Sequence, residues 1–267
     1  MNADERRSIA SRICVYLRVS ASHFRPVPVA KGTALEAAGV RRMFGRIAPR
    51  YDLLNHLLSF QMDRWWRRRT ARRFPRVLGR PGARVLDLCC GTGDMVAALR
   101  SRAVASVRIY GVDFSRPMLE RAAGKLGGTG SACSLAEADA LRLPFPDGGF
   151  DLVTTAFGFR NLADYKGALA EVYRVLAPGG EVGILEFSEP RSRLFGPLYG
   201  LYLRRLLPWI GGRISGDRAA YRYLQTSMAG FPAPLQLAGW MSEAGFTEVR
   251  VQELSGGIAC LHAARKP

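Results

Sequence analysis

The sequence predicts an α/β fold, a doubly wound and mostly parallel sheet with helices on both faces. Three observations predict it. From residue 84 onward, short apolar β-prone runs alternate with helical patterns. The first run, residues 84–94 (RVLDLCCGTGD), passes through a glycine turn into a helix, and the second, 109–114 (IYGVDF), closes on a carboxylate. Near the C-terminus two adjacent strand patterns are joined by Ser255-Gly256-Gly257, a hairpin turn, so one strand runs against the others.

The strands are expected at 84–90, 107–114, 133–138, 150–157 and 181–187, and the pair of the hairpin at 247–254 and 258–264. Helices are expected at 94–102, 117–125 and 164–176, the last stopped by Ala177-Pro178-Gly179-Gly180, and at 234–244. Ahead of the sheet, residues 35–74 read as helical: Met43, Phe44, Ile47, Ala48 and Tyr51 recur at helical spacing, and Leu53, Leu54, Leu57 and Leu58 extend the stripe. Residues 190–235 interrupt the alternation with a Tyr-, Leu- and Arg-rich helical insertion, expected to act as a lid. The expected layout is therefore a tail at 1–34, disordered or targeting, and one domain at 35–267. Five parallel strands followed by such a hairpin make the seven-stranded sheet of a class I methyltransferase.

A chain of 267 residues is long enough to bury a full α/β core. Its five Cys, at 14, 89, 90, 133 and 260, show neither metal-ligand spacing nor a CxxC pair, so buried thiols are expected and no metal. The net charge of +17 is uneven: residues 1–80 hold 18 Lys and Arg against 5 Asp and Glu. The excess is densest over 64–80, with eight Arg and no acid. Such a face can meet anionic lipid, nucleic acid or only water. No run of about 18 uncharged apolar residues occurs, so no spanning helix is expected.

In an open α/β sheet the ligand lies beyond the C-terminal ends of the strands. Gly91, Thr92 and Gly93 arrive there after the first strand, and their turn is shorter than a dinucleotide fingerprint and lacks a P-loop Lys. That shifts the expected ligand from a pyrophosphate to S-adenosylmethionine. Asp113 is placed to accept the ribose hydroxyls, and Asp139 with the small Ala140 to take the adenine amine and ring. Asp87 is placed to receive the methionine ammonium, directly or through water. The segment Phe157-Gly158-Phe159-Arg160-Asn161 follows the fourth strand and faces the transferred methyl. A guanidinium and an amide flanked by aromatics suit a flat, oxygen-bearing ring that develops phenolate charge. An Asn-Pro-Pro-aromatic cluster, which suits base amines, is missing, and this counts against nucleic acid.

These features resemble the ubiquinone/menaquinone biosynthesis C-methyltransferases over residues 42–266. Carrying the resemblance are Met43-Phe44, Ile47-Ala48, Tyr51-Asp52, Asn55, Ser59 and Trp66, then 143–147 (LPFPD), 157–161 (FGFRN), 174–180 (RVLAPGG), 186–188 (EFS) and Tyr221, Tyr223, Leu224. The resemblance implies C-methylation of a polyprenylated quinol by S-adenosylmethionine, either demethylmenaquinol or the 2-methoxy-6-polyprenyl benzoquinol precursor of ubiquinone, with the naphthoquinol preferred. An RNA methyltransferase and a noncatalytic scaffold are the rival readings. The family's cofactor contacts carry over to Thr92, Asp113, Asp139 and Ala140. The chain departs from the family pattern at Asp63 (usually His), Asp139 (usually Asn) and Ala156 (often Ser).

The expected catalytic residues are Arg160, which stabilises the phenolate, and Asn161, which orients the ring. Tyr51, Asp52, Asn55, Phe157 and Tyr221 are expected to line the ring pocket. The proton acceptor lies among Asp52, Asp217, Tyr221 and His262, although His262 sits in a strand pattern that suits a structural role. The isoprenoid tail is expected to leave through a groove between the 190–235 insertion and the N-terminal helices (Leu53, Leu54, Leu57, Leu58, Phe60), with the Arg belt beside Trp65 and Trp66 resting on anionic headgroups. This implies a cytoplasmic protein at the inner face of the membrane.

Overall fold

The computed structural model describes residues 61–127, 133–188 and 230–267, with residues 39, 59, 190 and 226–228 beside them. Tyr51, Asp52, Asn55, Asp217 and Tyr221 lie outside the described residues, as do the 1–34 tail, most of the 35–60 stripe and most of the 190–235 insertion. In chain order the elements are helices α1 (Met62–Ala71) and α2 (Pro75–Leu78), strand β1 (Arg84–Leu88), α3 (Asp94–Arg100), β2 (Arg108–Asp113), α4 (Arg116–Leu126), β3 (Cys133–Glu137), β4 (Phe150–Ala156), α5 (Tyr165–Val175), β5 (Leu176–Phe187), α6 (Pro234–Glu243), β6 (Thr247–Leu254) and β7 (Ala259–Arg265).

All seven strands form one sheet in the order β3-β2-β1-β4-β5-β7-β6. Strands β1 to β5 pair in parallel, and β7 runs antiparallel to both β5 and β6. The order reverses at β1, where crossovers diverge and a crevice opens. Val85 and Leu152 point to one face, under α1 to α4. Leu86, Leu88 and Val153 point to the other, under α5 and α6. Because side chains alternate along a strand, Asp87 shares the face of Val85, the side covered by α1 and α3.

The strands and helices expected within the described residues are present, with shifts that have physical causes. The last two residues of the expected first strand, Cys89 and Cys90, belong to the turn instead, because Cys89 takes a left-handed φ of 51°. Phe157 leaves β4 in the same way, at φ 63°. The expected stop at Ala177-Pro178-Gly179-Gly180 is part of β5, which begins at Leu176 and shifts register opposite Phe150 and Leu152. The backbone of Gly179 and Gly180 exchanges hydrogen bonds with Lys266, both at 2.9 Å, so tertiary pairing overrides the local turn signal. The hairpin turn is a short 3₁₀ turn at Ser255–Gly257.

Helix α1 corrects the expected Arg belt. Asp63, Trp66, Arg67, Thr70 and Ala71 form its buried face, while Arg64, Trp65, Arg68 and Arg69 are exposed. Trp66 is 2% exposed, sits 5.8 Å from the Phe157 ring, and donates from Nε1 to Ser255 Oγ at 2.9 Å. It therefore fixes α1 to the end of the sheet and cannot touch lipid. Of these two tryptophans, Trp65, 46% exposed, is the one that remains for an interface.

Candidate active site

The segments expected to converge do so at the C-terminal ends of β1 to β4. Asp113 ends β2, and its carboxylate accepts from the amides of Gly91 (2.9 Å) and Ser115 (2.8 Å). One side chain thereby locks the glycine turn to the turn after β2. Each carboxylate oxygen can accept a second bond. The Asp113 carbonyl accepts from Ala138 N at 3.1 Å, which brings the Asp139-Ala140 segment alongside. Asp139 is exposed, its Oδ1 capping Leu141 N at 2.9 Å, while Ala140 is buried.

Two glycines make this convergence possible. Gly93 holds φ 86°, and a Cβ there would sit 3.0 Å from the Leu126 side chain and 3.2 Å from Ala122. At Gly158 a Cβ would fall 2.3 Å from the Cβ of Cys89, so only glycine lets the end of β4 meet the turn after β1. The Cys89 and Cys90 thiols are pushed well above their ordinary pKa, chiefly by burial, and pack as neutral groups.

Asp87 is fully buried at the end of β1, with Oδ1 accepting from Thr154 Oγ1 at 2.7 Å and Oδ2 without any protein partner. Burial pushes its carboxyl up to about 7, against the Thr154 hydrogen bond and the Arg67 charge, with Asp113 adding to the rise. An orphaned buried oxygen is costly unless a ligand satisfies it. An ammonium would do so. The open space around Gly91, where a Cβ would meet nothing within 4 Å, provides room beside the turn. The residues present therefore fit an amino-acid-bearing nucleoside such as S-adenosylmethionine.

Beyond β4, Arg160 is 7% exposed in a 3₁₀ turn at Phe159–Asn161. Its Nη1 donates to Glu186 Oε1 at 2.7 Å and to the Phe157 carbonyl, and its backbone N–H reaches Glu186 Oε2 at 3.2 Å. Glu186 is 1% exposed, so this is a buried ion pair. Nε of Arg160 is buried with no protein partner. The guanidinium carbon lies 5.3 Å over the Phe187 ring, which stands 4.5 Å from Phe157. Asn161 is half-buried at the end of the same turn.

His262 lies elsewhere, within β7 opposite Ile184 and Val251. Its Nε2 meets the Pro234 carbonyl at 2.9 Å and burial lowers its pKa, so a neutral ring ties α6 to the sheet.

Sequence reasoning missed Thr154, Lys125 and the buried pairs Arg160–Glu186 and Asp63–Arg67. Glu186 lay inside a quoted motif. Asp63 and Arg67 stand four residues apart, the helical spacing that permits an ion pair.

A model of the ubiE/COQ5 methyltransferase family matches residues 32–266. The chain belongs to this family. Among its relatives, the demethylmenaquinone methyltransferase of Thermus thermophilus is 51% identical over 225 residues, covering 84% of this chain and all of that one. The ubiquinone/menaquinone biosynthesis C-methyltransferase of Geobacter sulfurreducens is 43% identical over 229 residues, covering 85% of this chain and 88% of that protein. Solved structures share the fold at lower identity. A SAM-dependent methyltransferase from Aquifex aeolicus has TM-score 0.53 at 19% identity, over 74% of this chain and 89% of that one. The [4+2]-cyclase SpnF has TM-score 0.64 at 20% identity, over 91% and 98%. A cyclase on the same scaffold illustrates that fold alone does not fix the reaction. Family membership makes this chain a methyltransferase dependent on S-adenosylmethionine.

Proposed function

We propose that the chain methylates a ring carbon of a polyprenylated quinol, converting demethylmenaquinol to menaquinol. The observation that carries this reading is the buried Arg160 guanidinium, keeping an unpaired Nε–H beside the aromatic cluster of Phe157 and Phe187. Such a donor suits the oxygen of a flat ring gaining phenolate charge. The names of the Thermus relative and of the Deinococcus radiodurans relative, 49% identical, support the naphthoquinol. The combined name of the Geobacter relative supports the benzoquinol precursor of ubiquinone as a second substrate.

S-adenosylmethionine supplies an electrophilic methyl on a sulfonium. The chain's residues supply the rest. In this reading Asp113 accepts the ribose hydroxyls, Asp139 and Ala140 hold the adenine, Gly91, Thr92 and Gly93 admit the amino-acid tail, and Asp87 accepts its ammonium. Phe157, Tyr51, Asp52, Asn55 and Tyr221 hold the ring, and Asn161 orients it. An acceptor among Asp52, Asp217 and Tyr221 takes the ring hydroxyl's proton, and Arg160, which stays protonated, stabilises the charge left on the oxygen. The neighbouring carbon then bonds the methyl as the methyl–sulfur bond breaks, and that carbon's own proton leaves to solvent, restoring the aromatic ring. Most of the acceleration comes from holding that carbon against the methyl in a site shielded from water.

The long tail of the substrate supports a reaction at a lipid surface, and the reading puts the enzyme at the inner face of the membrane. No helix among the described residues is long and apolar enough to cross a membrane. Contact through the exposed face of α1, where Met62 and Trp65 are flanked by Arg64, Arg68 and Arg69, fits a peripheral attachment.

The test is methyl transfer to reduced demethylmenaquinol and, separately, to the 2-methoxy-6-polyprenyl benzoquinol. Product from the first alone is expected. Product from both makes the enzyme a shared one, and product from the second alone overturns the preference.

A further inference from the structure

Helix α1 buries a cation that core packing does not explain. Arg67 is 7% exposed, and its Nη1 lies 2.5 Å from Oδ2 of Asp63, itself 2% exposed. The other Asp63 oxygen accepts from Ser59 Oγ at 2.7 Å, so the acid is held before it holds the arginine. Removing two charges from water is costly, and their attraction largely offsets that cost rather than exceeding it, so a buried pair of this kind is weak evidence of stability. It is better evidence of position.

The position is the edge of the cofactor crevice. The Arg67 guanidinium lies 5.1 Å over the Phe157 ring at the end of β4 and 4.0 Å from Asp94, the first residue of α3 after the glycine turn. Asp87, with its orphaned Oδ2, lies on the face of β1 that α1 and α3 cover. One side chain from outside the sheet thus reaches the gap between the glycine turn and β4.

Ligand chemistry supplies a reason for a cation there. The amino-acid end of S-adenosylmethionine bears an ammonium, for which Asp87 waits, and a carboxylate, which needs a positive partner. Among the described residues, three cations border the crevice. Arg160 is tied to Glu186 and the Phe157 carbonyl. Lys125 is tied to Asp94 at 2.6 Å and to Thr92 at 3.2 Å, on the outer side of the turn. Arg67 is aimed by Asp63 through one nitrogen, and a guanidinium can engage a carboxylate through two parallel N–H bonds.

We propose that Arg67 binds the methionine carboxylate of the cofactor, with Asp63 as the positioning residue that aims it. The proposal rests on the cofactor reading and is independent of which quinol is methylated.

The experiment is calorimetric titration of the protein with S-adenosylhomocysteine and with its decarboxylated analogue, which keeps the adenosine, the sulfur and the amine. The wild-type protein should prefer the carboxylate-bearing ligand by roughly ten- to a hundredfold, as a charge-assisted pair implies. Arg67→Met should erase that preference by weakening the first ligand alone, and Arg67→Lys should retain part of it. Because Arg67→Met takes the arginine charge away from the buried Asp63, Asp63→Asn/Arg67→Met is measured beside it, and it too should bind both ligands alike. Equal binding of both ligands by the wild-type protein would overturn the proposal, as would an intact preference in either variant or an equal loss for both ligands. Failure of the wild-type protein to bind either ligand would overturn the cofactor reading itself.

Discussion

Asp87 is a carboxylate whose charge the fold resists, and that has a measurable sign. Its ordinary pKa of 3.8 rises to about 7 in the folded chain, chiefly through burial. Between those values the folded state binds more protons than the unfolded one, so this group lowers stability as pH rises from about 4 to about 7 and adds no further change above. Urea denaturation of wild type and Asp87→Asn should therefore show the wild type losing stability relative to the variant between about pH 4 and about pH 7. Parallel profiles would contradict the burial of an ionisable Asp87. Arg160 tests the opposite case, a charge that is paired. Arg160→Ala leaves Glu186 buried and uncompensated, at a cost of about 3–5 kcal/mol in chemical denaturation. Adding Glu186→Gln should recover part of that stability. In the double variant turnover should remain about a hundredfold down while S-adenosylhomocysteine still binds. Recovery of turnover along with stability would assign the arginine a structural role only. Asp113 and the glycine turn were legible in the sequence because their chemistry is local. Arg67 was not, because it sits in a run of arginines that look alike until α1 is rotated against the sheet.

At the level of elements, the site depends on how closely β1 and β4 end together. Gly158→Ala would press a methyl to 2.3 Å from the Cys89 Cβ, and backbone must move on one side or the other. We expect a loss of about 1–3 kcal/mol in stability and weaker cofactor binding, read by thermal melts with and without S-adenosylhomocysteine. An unchanged melt and affinity would mean that the contact is slack. The 143–147 motif gains a physical meaning at this scale. Arg174 on α5 donates to the Leu143 carbonyl at 3.2 Å, the Phe145 carbonyl at 2.9 Å and Asp147 at 2.6 Å, and it is held by Glu171. The segment after Asp139 and Ala140 is thereby tied to the helix behind it. Burial pushes the Glu171 carboxyl up, but the Arg174 and Leu143 hydrogen bonds outweigh it and hold the group below its usual range. Periodicity found α5 and β5 separately. It misplaced their boundary at 176–180, since the pairing of Gly179 and Gly180 with Lys266 joins residues far apart in sequence.

For the molecule as a whole, charge and fold divide the work. Fold class was readable from alternation because a parallel sheet buried on both faces writes itself as short apolar runs. The basic N-terminal segment was readable only as a sum. Among its described arginines, Arg67 turns inward, whereas Arg64, Arg68 and Arg69 on α1 and Arg72 and Arg76 after it are exposed. Arg72, Arg73 and Arg76 join Arg250 and Arg265 around a cleft of about 420 Å³, where five arginines outnumber the two carboxylates of Glu181 and Glu248. An exposed basic surface predicts salt-sensitive binding to anionic vesicles. In flotation, the protein should rise with phosphatidylglycerol vesicles at low salt, stay down with phosphatidylcholine, and release as salt screens the charges. Binding that ignores both salt and headgroup would contradict an electrostatic attachment. The reaction itself is tested most directly by where the methyl group lands. S-adenosylmethionine carrying a carbon-13 methyl should be incubated with the enzyme and reduced demethylmenaquinol, and the product read by carbon NMR. The account predicts that the label appears as a methyl on a ring carbon; label found as a methoxy carbon, or recovered only in unreacted cofactor, would contradict it.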